Sequence, residues 1–303
     1  MLARILIYCR ERRVLALFVV GLVVGLAATG TSLILHGLGD AVIDFKGVTI
    51  LAAFTSAFFF VYARLQDEVK DLPVDAKFFP NTPLAAGRVK AGDVTAFKWF
   101  VIGLIVAINA YWGDAFVFCL VVLAIFVITE HEFFIPSVIE SNRLYAFISH
   151  TPSWWVLSLY LVYLFSERDL QYLFSASNIY LCTWITLPLL ILEVARKTWS
   201  PDKELDGYQT YSSLLGFRWA AVFALTLIFI HLLITFKNMD LWQLSSVFLL
   251  ALCANAFLVL VKSIQFIKQP ANNEISGLSE VYLITSFLGL AINSLMVNAA
   301  LFR

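Results

Sequence analysis

Long apolar runs alternate with short polar breaks along the whole chain. Nine stretches predict membrane-crossing helices: 14–36, 47–64, 96–112, 114–131, 144–166, 177–195, 218–236, 241–262 and 279–301. A hydrocarbon core ~30 Å thick needs about 20 helical residues, and most of these runs are near that length. His150 and Pro152 interrupt the fifth stretch, and a tight turn near Trp112-Gly113-Asp114 parts the third from the fourth. The first run, from Val14 to Leu35, exceeds the ~7–15 apolar residues of a cleaved signal. With Arg4, Arg10, Arg12 and Arg13 before it, it reads as a transmembrane helix fixed by a basic flank. The pattern predicts an all-α polytopic membrane protein in which residues 1–303 form a single domain.

Composition strengthens this reading. The chain is 61% hydrophobic and only 14% charged, with a mean hydropathy of +0.85. Soluble domains average ~45–50% apolar and ~25% charged. The lipid bilayer is therefore the expected surrounding, and no nucleic-acid partner is expected. With nine spans, all but four of the 21 lysines and arginines fall on the side that carries the N-terminus; Lys46, Arg168, Lys237 and Arg303 are the four. Because cytoplasmic loops carry the excess of Lys and Arg, this predicts a cytoplasmic N-terminus, in a cell inner membrane. Cys9, Cys119, Cys182 and Cys253 are scattered and form no CxxC pair, so they read as spectator thiols. The 27 phenylalanines suit lipid-facing and interhelical packing, and equally the wall of a cavity for a long apolar ligand.

The polar breaks carry the chemistry. Arg64-Leu65-Gln66-Asp67-Glu68-Val69-Lys70-Asp71-Leu72-Pro73-Val74-Asp75 packs four acids beside the end of the second span. On a helix, residues three, four and seven apart share a face. Glu68, Asp71 and Asp75 are spaced that way, and so are Asp67, Asp71 and Asp75. Carboxylates on one face repel unless a cation lies between them, and hard oxygens without His or Cys suit Mg²⁺. Pro73 predicts a kink or a helix end near Asp71. The plainer reading is a solvated charged loop. Against it stands a second acidic element after the sixth span, Arg196-Lys197-Thr198-Trp199-Ser200-Pro201-Asp202-Lys203-Glu204-Leu205-Asp206-Gly207. Four spans separate the two, which puts both on the same side. Ser200-Pro201 reads as a helix start, which predicts Asp202 and Asp206 on one face of a short helix ended by Gly207. Two carboxylate walls, with Arg88, Lys197 and Lys203 near them, suit two Mg²⁺ ions and a diphosphate held through them. Such a site stabilises charge building on a departing diphosphate.

These residues resemble the UbiA superfamily of intramembrane prenyltransferases. Asp67-Glu68-Val69-Lys70-Asp71-Leu72-Pro73-Val74-Asp75 is similar to its Asn-Asp-x-x-Asp-x-x-x-Asp motif, with Asp67 in the Asn place and Glu68 in that of the first Asp. Thr82-Pro83-Leu84-Ala85-Ala86-Gly87-Arg88 is similar to the segment that follows, with Thr82 where Arg is usual, and Lys197, Asp202 and Asp206 are similar to the second motif. The resemblance implies nine helices around a central cavity, with a cytoplasmic cap carrying both aspartate-rich motifs. It also implies Mg²⁺-dependent ionisation of a polyprenyl diphosphate, then attack by a small acceptor, aromatic or a lipid precursor. Glu68, Asp71, Asp75, Asp202 and Asp206 would be metal ligands or their supports, and Asp67 a metal or diphosphate contact. Lys77, Arg88, Lys197 and Lys203 would contact the diphosphate, with Lys77 or Arg88 in the role of the usual Arg at position 82.

A membrane terpene cyclase would use the same ionisation and let the cation close on itself. A transporter fits less well, because coupling carboxylates tend to lie near the bilayer midplane, and no predicted span has Asp or Glu at its centre. A CDP-alcohol phosphotransferase is disfavoured by the absence of its Asp-Gly-x-x-Ala-Arg opening. Glu130-His131-Glu132 is not HExxH and reads as a helix-end polar cluster. Glu193 is expected to pair with Arg196 or Lys197, and Asn109, Asn255, Asn293 and Asn298 to make interhelical hydrogen bonds.

Overall fold

The computed structural model describes residues 1–36, 45–165 and 173–301. Arg168, Arg303 and the end of the fifth predicted span lie outside the described residues. The regular structure of the described residues is helical, with no strand among them. In chain order the helices are α1 (Leu2–Glu11), α2 (Val14–His36), α3 (Phe45–Lys70), α4 (Leu72–Phe78), α5 (Ala91–Asn109), α6 (Asp114–Glu130), α7 (Pro136–Ile139), α8 (Arg143–Tyr163), α9 (Ala176–Arg196), α10 (Tyr211–Leu215), α11 (Phe217–Lys237), α12 (Ser246–Lys268) and α13 (Ser276–Leu301). Seven of them, α2, α3, α5, α9, α11, α12 and α13, are long and apolar enough to cross a membrane. The chain is an integral, multi-pass membrane protein. Of the two other predicted spans, α6 is short at 17 residues. The other, α8, has 21 residues but a polar patch around Pro152. There His150 Nδ1 lies 2.6 Å from the Ala146 carbonyl and Thr151 Oγ1 donates to that of Phe147, also at 2.6 Å.

Contacts within the chain gather into two compact units, residues 1–26 with 43–134, and residues 27–42 with 135–303. In the first unit α3 packs on α5 and α6. The sequence Gly21-Leu22-Val23-Val24-Gly25 lays α2 against α3: a Cβ on Gly21 would stand 2.5 Å from the Ala57 Cα, and one on Gly25 2.6 Å from that of Ala53. Lipid tails are as apolar as leucine, so close backbone approach between small residues drives such pairing. Asn109 Nδ2 donates to Thr55 Oγ1 at 3.0 Å, fixing α5 to α3.

In the second unit α9 packs on α8, α11 and α13. Its core is aromatic: Trp184 meets Trp242, Phe248 and Phe287 edge-on, and its Nε1 donates to Thr235 Oγ1 at 2.7 Å. Asn255 donates to Thr285 at 2.6 Å, Asn293 accepts from the Ser245 amide at 2.8 Å, and Asn298 donates to the Gly30 carbonyl at 3.1 Å. Asn109, Asn255, Asn293 and Asn298 therefore bond between elements, as expected. The four cysteines are free thiols.

The glycine seam makes a direct prediction. Gly21→Val or Gly25→Val should cost about 1–3 kcal/mol of stability, the usual scale of overpacking. Gly103→Ala, whose Cβ would meet nothing within 4 Å, should be neutral or stabilising by about 0.5–1 kcal/mol. Thermal unfolding of the detergent-solubilised protein measures both.

Candidate functional site

The first acidic segment divides where Pro73 predicts: helix α3 ends at Lys70 and α4 begins at Leu72. Pro73 occupies the first turn of α4, where a missing N–H costs least. Single backbone bonds still span the junction, Asp71 N to Asp67 O, Asp75 N to Asp71 O and Phe79 N to Asp75 O, each 2.8 Å, and Asp71 itself keeps helical angles (φ −80°, ψ −3°). Asp67, Asp71 and Asp75 therefore follow one another at intervals of a helical turn across the predicted helix end. Asp71 is exposed, and Asp67 and Asp75 are half-buried.

Glu68 has a different environment. Its side chain is fully buried, and arginines hold both carboxylate oxygens. Arg12 approaches Oε1 with Nη2 at 2.6 Å and Nε at 2.9 Å, while Arg64 Nη2 donates to Oε2 at 2.9 Å. Arg12 Nη2 also donates to Asp75 Oδ2 at 3.0 Å. Arg12 lies just past the end of α1, which is tied down along its length. Arg4 pairs with Asp93, and Glu11 accepts from Arg88 Nε at 3.2 Å. The Arg88 charge holds the exposed Glu11 carboxyl below its ordinary range. Tyr8, buried in α1, keeps its hydroxyl proton: burial first, then the neighbouring Glu68 charge, push its pKa up.

Further acids of this unit are also partnered. Glu130 accepts from Tyr62 at 3.1 Å and pairs with Lys98, and Glu132 pairs with Lys70 at 2.7 Å. This is the helix-end polar cluster the sequence predicts. Arg88 follows a turn closed by Gly87 N to Leu84 O at 3.0 Å, with Gly87 at φ +71°, a backbone conformation that glycine adopts without strain. Lys77 is exposed, its Nζ 4.6 Å from the Phe78 ring centroid.

The second acidic segment, in the other unit, corrects an expectation. Ser200 and Pro201 do start a helix, but it is a single 3-10 turn, Pro201–Lys203. Glu204 then turns extended (φ −63°, ψ 135°). Asp202 and Asp206 thus do not share a helical face. Local hydrogen bonds explain the early end. Glu204 Oε1 accepts from Thr210 Oγ1 at 2.8 Å, and Thr210 caps α10 through Ser213 N. Tyr211 N reaches back to Lys197 O at 2.9 Å, and Trp199 N donates to Ser212 Oγ at 2.6 Å. These bonds fold 197–213 into a compact loop that turns at Gly207 (φ +80°). Asp202 and Asp206 are both exposed on it. Lys203 pairs with Glu274. Glu193 collects three cations: Arg143 at 2.9 Å, Lys197 at 2.7 Å and Arg196 at 2.6 Å. Both expected partners are there, together with Arg143.

Among the described residues, no three His, Cys, Asp or Glu side chains form a ready-made metal cage. The residues that the sequence pattern does not single out are Arg12 and Tyr8. In the sequence Arg12 is one member of a basic membrane flank. The 68/75 spacing, two helical turns, is the available sign that one long cation could bridge them.

No protein-family model matches the chain, and no curated protein does. Among solved structures, the chain is similar to one described as giving "structural and mechanistic insights into the biosynthesis of digeranylgeranylglyceryl phosphate synthase in membranes". The TM-score is 0.57 and the identity 12%, over 94% of this chain and 99% of the other. The chain thus shares its overall fold with that structure.

Proposed function

We propose that this protein is an intramembrane prenyltransferase that moves a prenyl group from a polyprenyl diphosphate to a small acceptor in the bilayer and releases diphosphate. The observation that carries the reading is the succession of Asp67, Asp71 and Asp75, each a helical turn from the next across the α3–α4 junction, in a chain whose fold is similar to that of a digeranylgeranylglyceryl phosphate synthase. That neighbour is a synthase in membranes, the setting this reading requires.

The carboxylates suit Mg²⁺ that arrives with its substrate. Mg²⁺ uses one or two carboxylates and completes its shell with water and phosphate oxygens, so a three-ligand protein cage is not required. Asp67, Asp71 and Asp75 in one unit and Asp202 and Asp206 in the other offer hard oxygens without nitrogen or sulfur. When bound, the ion would neutralise charge on the leaving diphosphate. The allylic C–O bond breaks with its electron pair leaving on the diphosphate. The acceptor then forms a bond to the allylic carbon and loses a proton. Lys77, Arg88, Lys197 and Lys203 are the basic residues proposed to share in holding the diphosphate, on the cytoplasmic side. Apolar helices shield the cation from water, which would otherwise capture it.

Asp71→Ala and Asp202→Ala should each lower prenyl transfer by at least about a hundredfold, the scale on which stabilisation of a developing anion is felt. Membrane insertion and thermal stability should stay near wild type, because both side chains are exposed. Full activity in both variants would contradict the reading. Removing divalent ions with EDTA should stop turnover, and added Mg²⁺ should restore it; transfer that continues in EDTA would exclude the proposed role of the ion.

A further inference from the structure

We propose that Arg12 is a tethered cation that stands in for a metal ion between Glu68 and Asp75, so that Glu68 is a positioning residue and not a metal ligand. The inference rests on the Mg²⁺–diphosphate reading for its functional meaning, but its geometry is independent of it.

Three observations support the assignment. First, a hydrated ion could reach Glu68 only by breaking contacts on both its oxygens, inside a side-chain environment with no solvent exposure. Mg²⁺ sheds water reluctantly, so a buried carboxylate already neutralised by two guanidiniums is a poor ligand. Second, one nitrogen of Arg12 meets both acids, at 2.6 Å and 3.0 Å. Residues seven apart are separated by about 10.5 Å along a helix axis. A glutamate arm at 68, one methylene longer than aspartate, shortens the gap a single guanidinium must span. The unusual Glu in the motif thereby gains a physical reason. Third, α1 is held at both ends of its polar face, through Arg4 to Asp93 and through Glu11 to Arg88. Arg12 is thus fixed in place, with the buried Tyr8 one turn before it. The hydroxyl of Tyr8 and the Nε of Arg64 are buried as well, in the same group as Glu68, whose two oxygens already accept from both arginines.

The consequence is a division of labour within one motif. Asp67 and Asp71 would hold the metal, while Glu68 orients Arg12 and Arg64. Glu68 and Asp75 match the two guanidiniums in charge, so the arginine pair fixes the acidic segment in place without adding net charge to it.

Binding of Mn²⁺ to the purified full-length protein, followed by the loss of its free-ion paramagnetic resonance signal, tests this with and without inorganic diphosphate. Glu68→Gln should keep diphosphate-supported Mn²⁺ affinity within about threefold of wild type, whereas Asp71→Asn should weaken it at least about tenfold, the range in which perturbed metal sites respond. Arg12→Gln should create Mn²⁺ binding in the absence of diphosphate, because Asp75 loses its arginine and Glu68 keeps only Arg64. That gain should vanish in Arg12→Gln with Glu68→Gln, and Arg12→Lys should not show it. A loss of affinity in Glu68→Gln equal to that in Asp71→Asn would overturn the inference, as would an Arg12→Gln protein that folds and gains no Glu68-dependent Mn²⁺ binding. If Arg12→Gln does not fold, the Glu68→Gln comparison decides alone. If Asp71→Asn leaves binding untouched, the Mg²⁺–diphosphate reading fails, and the gain in Arg12→Gln still decides the role of Arg12.

Discussion

A carboxylate at the edge of a membrane must be given a counter-charge, and in the first unit that requirement organises everything around the acidic segment. Two charges 4 Å apart attract by about 4 kcal/mol at the effective dielectric of a protein surface, against about 1 in water. Leaving one partner of a buried pair uncompensated costs about 3–5 kcal/mol. Glu68, buried with both oxygens held by Arg12 and Arg64, is where that cost would be greatest. The N-terminal helix is therefore part of the site's structure. Its polar face carries Arg4, Glu11 and Arg12 into ion pairs with Asp93, Arg88 and Glu68, while Leu2 and Leu6 remain exposed on the other.

The two acidic segments, one in each unit, have different backbones. The first joins the helices α3 and α4, with its aspartates a turn apart. The second is a loop held by the side chains of Thr210 and Ser212. A loop adjusts more readily than a helix, since fewer of its bonds must move together.

Much of the fold was legible in the hydrophobic pattern, because apolar runs of span length have few alternatives in a bilayer. All seven helices fit to cross the membrane correspond to predicted spans. The helix-stacking glycines were equally available, as Gly21-Leu22-Val23-Val24-Gly25, but small residues inside a long apolar run leave hydropathy almost unchanged. The acidic segments stand out by charge density and spacing. Their backbones are legible only in part: Pro73 marks the junction of α3 and α4, but Ser200-Pro201 suggests a helix where one turn forms. There the outcome is set by hydrogen bonds that local propensity does not encode, as Glu204 and Thr210 draw the chain out of the helix. The partnership of Arg12 with Glu68 joins residues distant in sequence, and a basic flank is expected before any first span whatever its contacts.

The central claim is that this protein breaks the allylic C–O bond of a polyprenyl diphosphate at its acidic segments. The most direct measurement is diphosphate release by the purified protein in lipid nanodiscs, with polyprenyl diphosphates of graded length and products identified by mass. Release that requires both Mg²⁺ and an allylic donor, matched by a prenylated acceptor in equal amount, is the predicted result. Movement of a prenyl diphosphate across the bilayer with no diphosphate released would contradict the account.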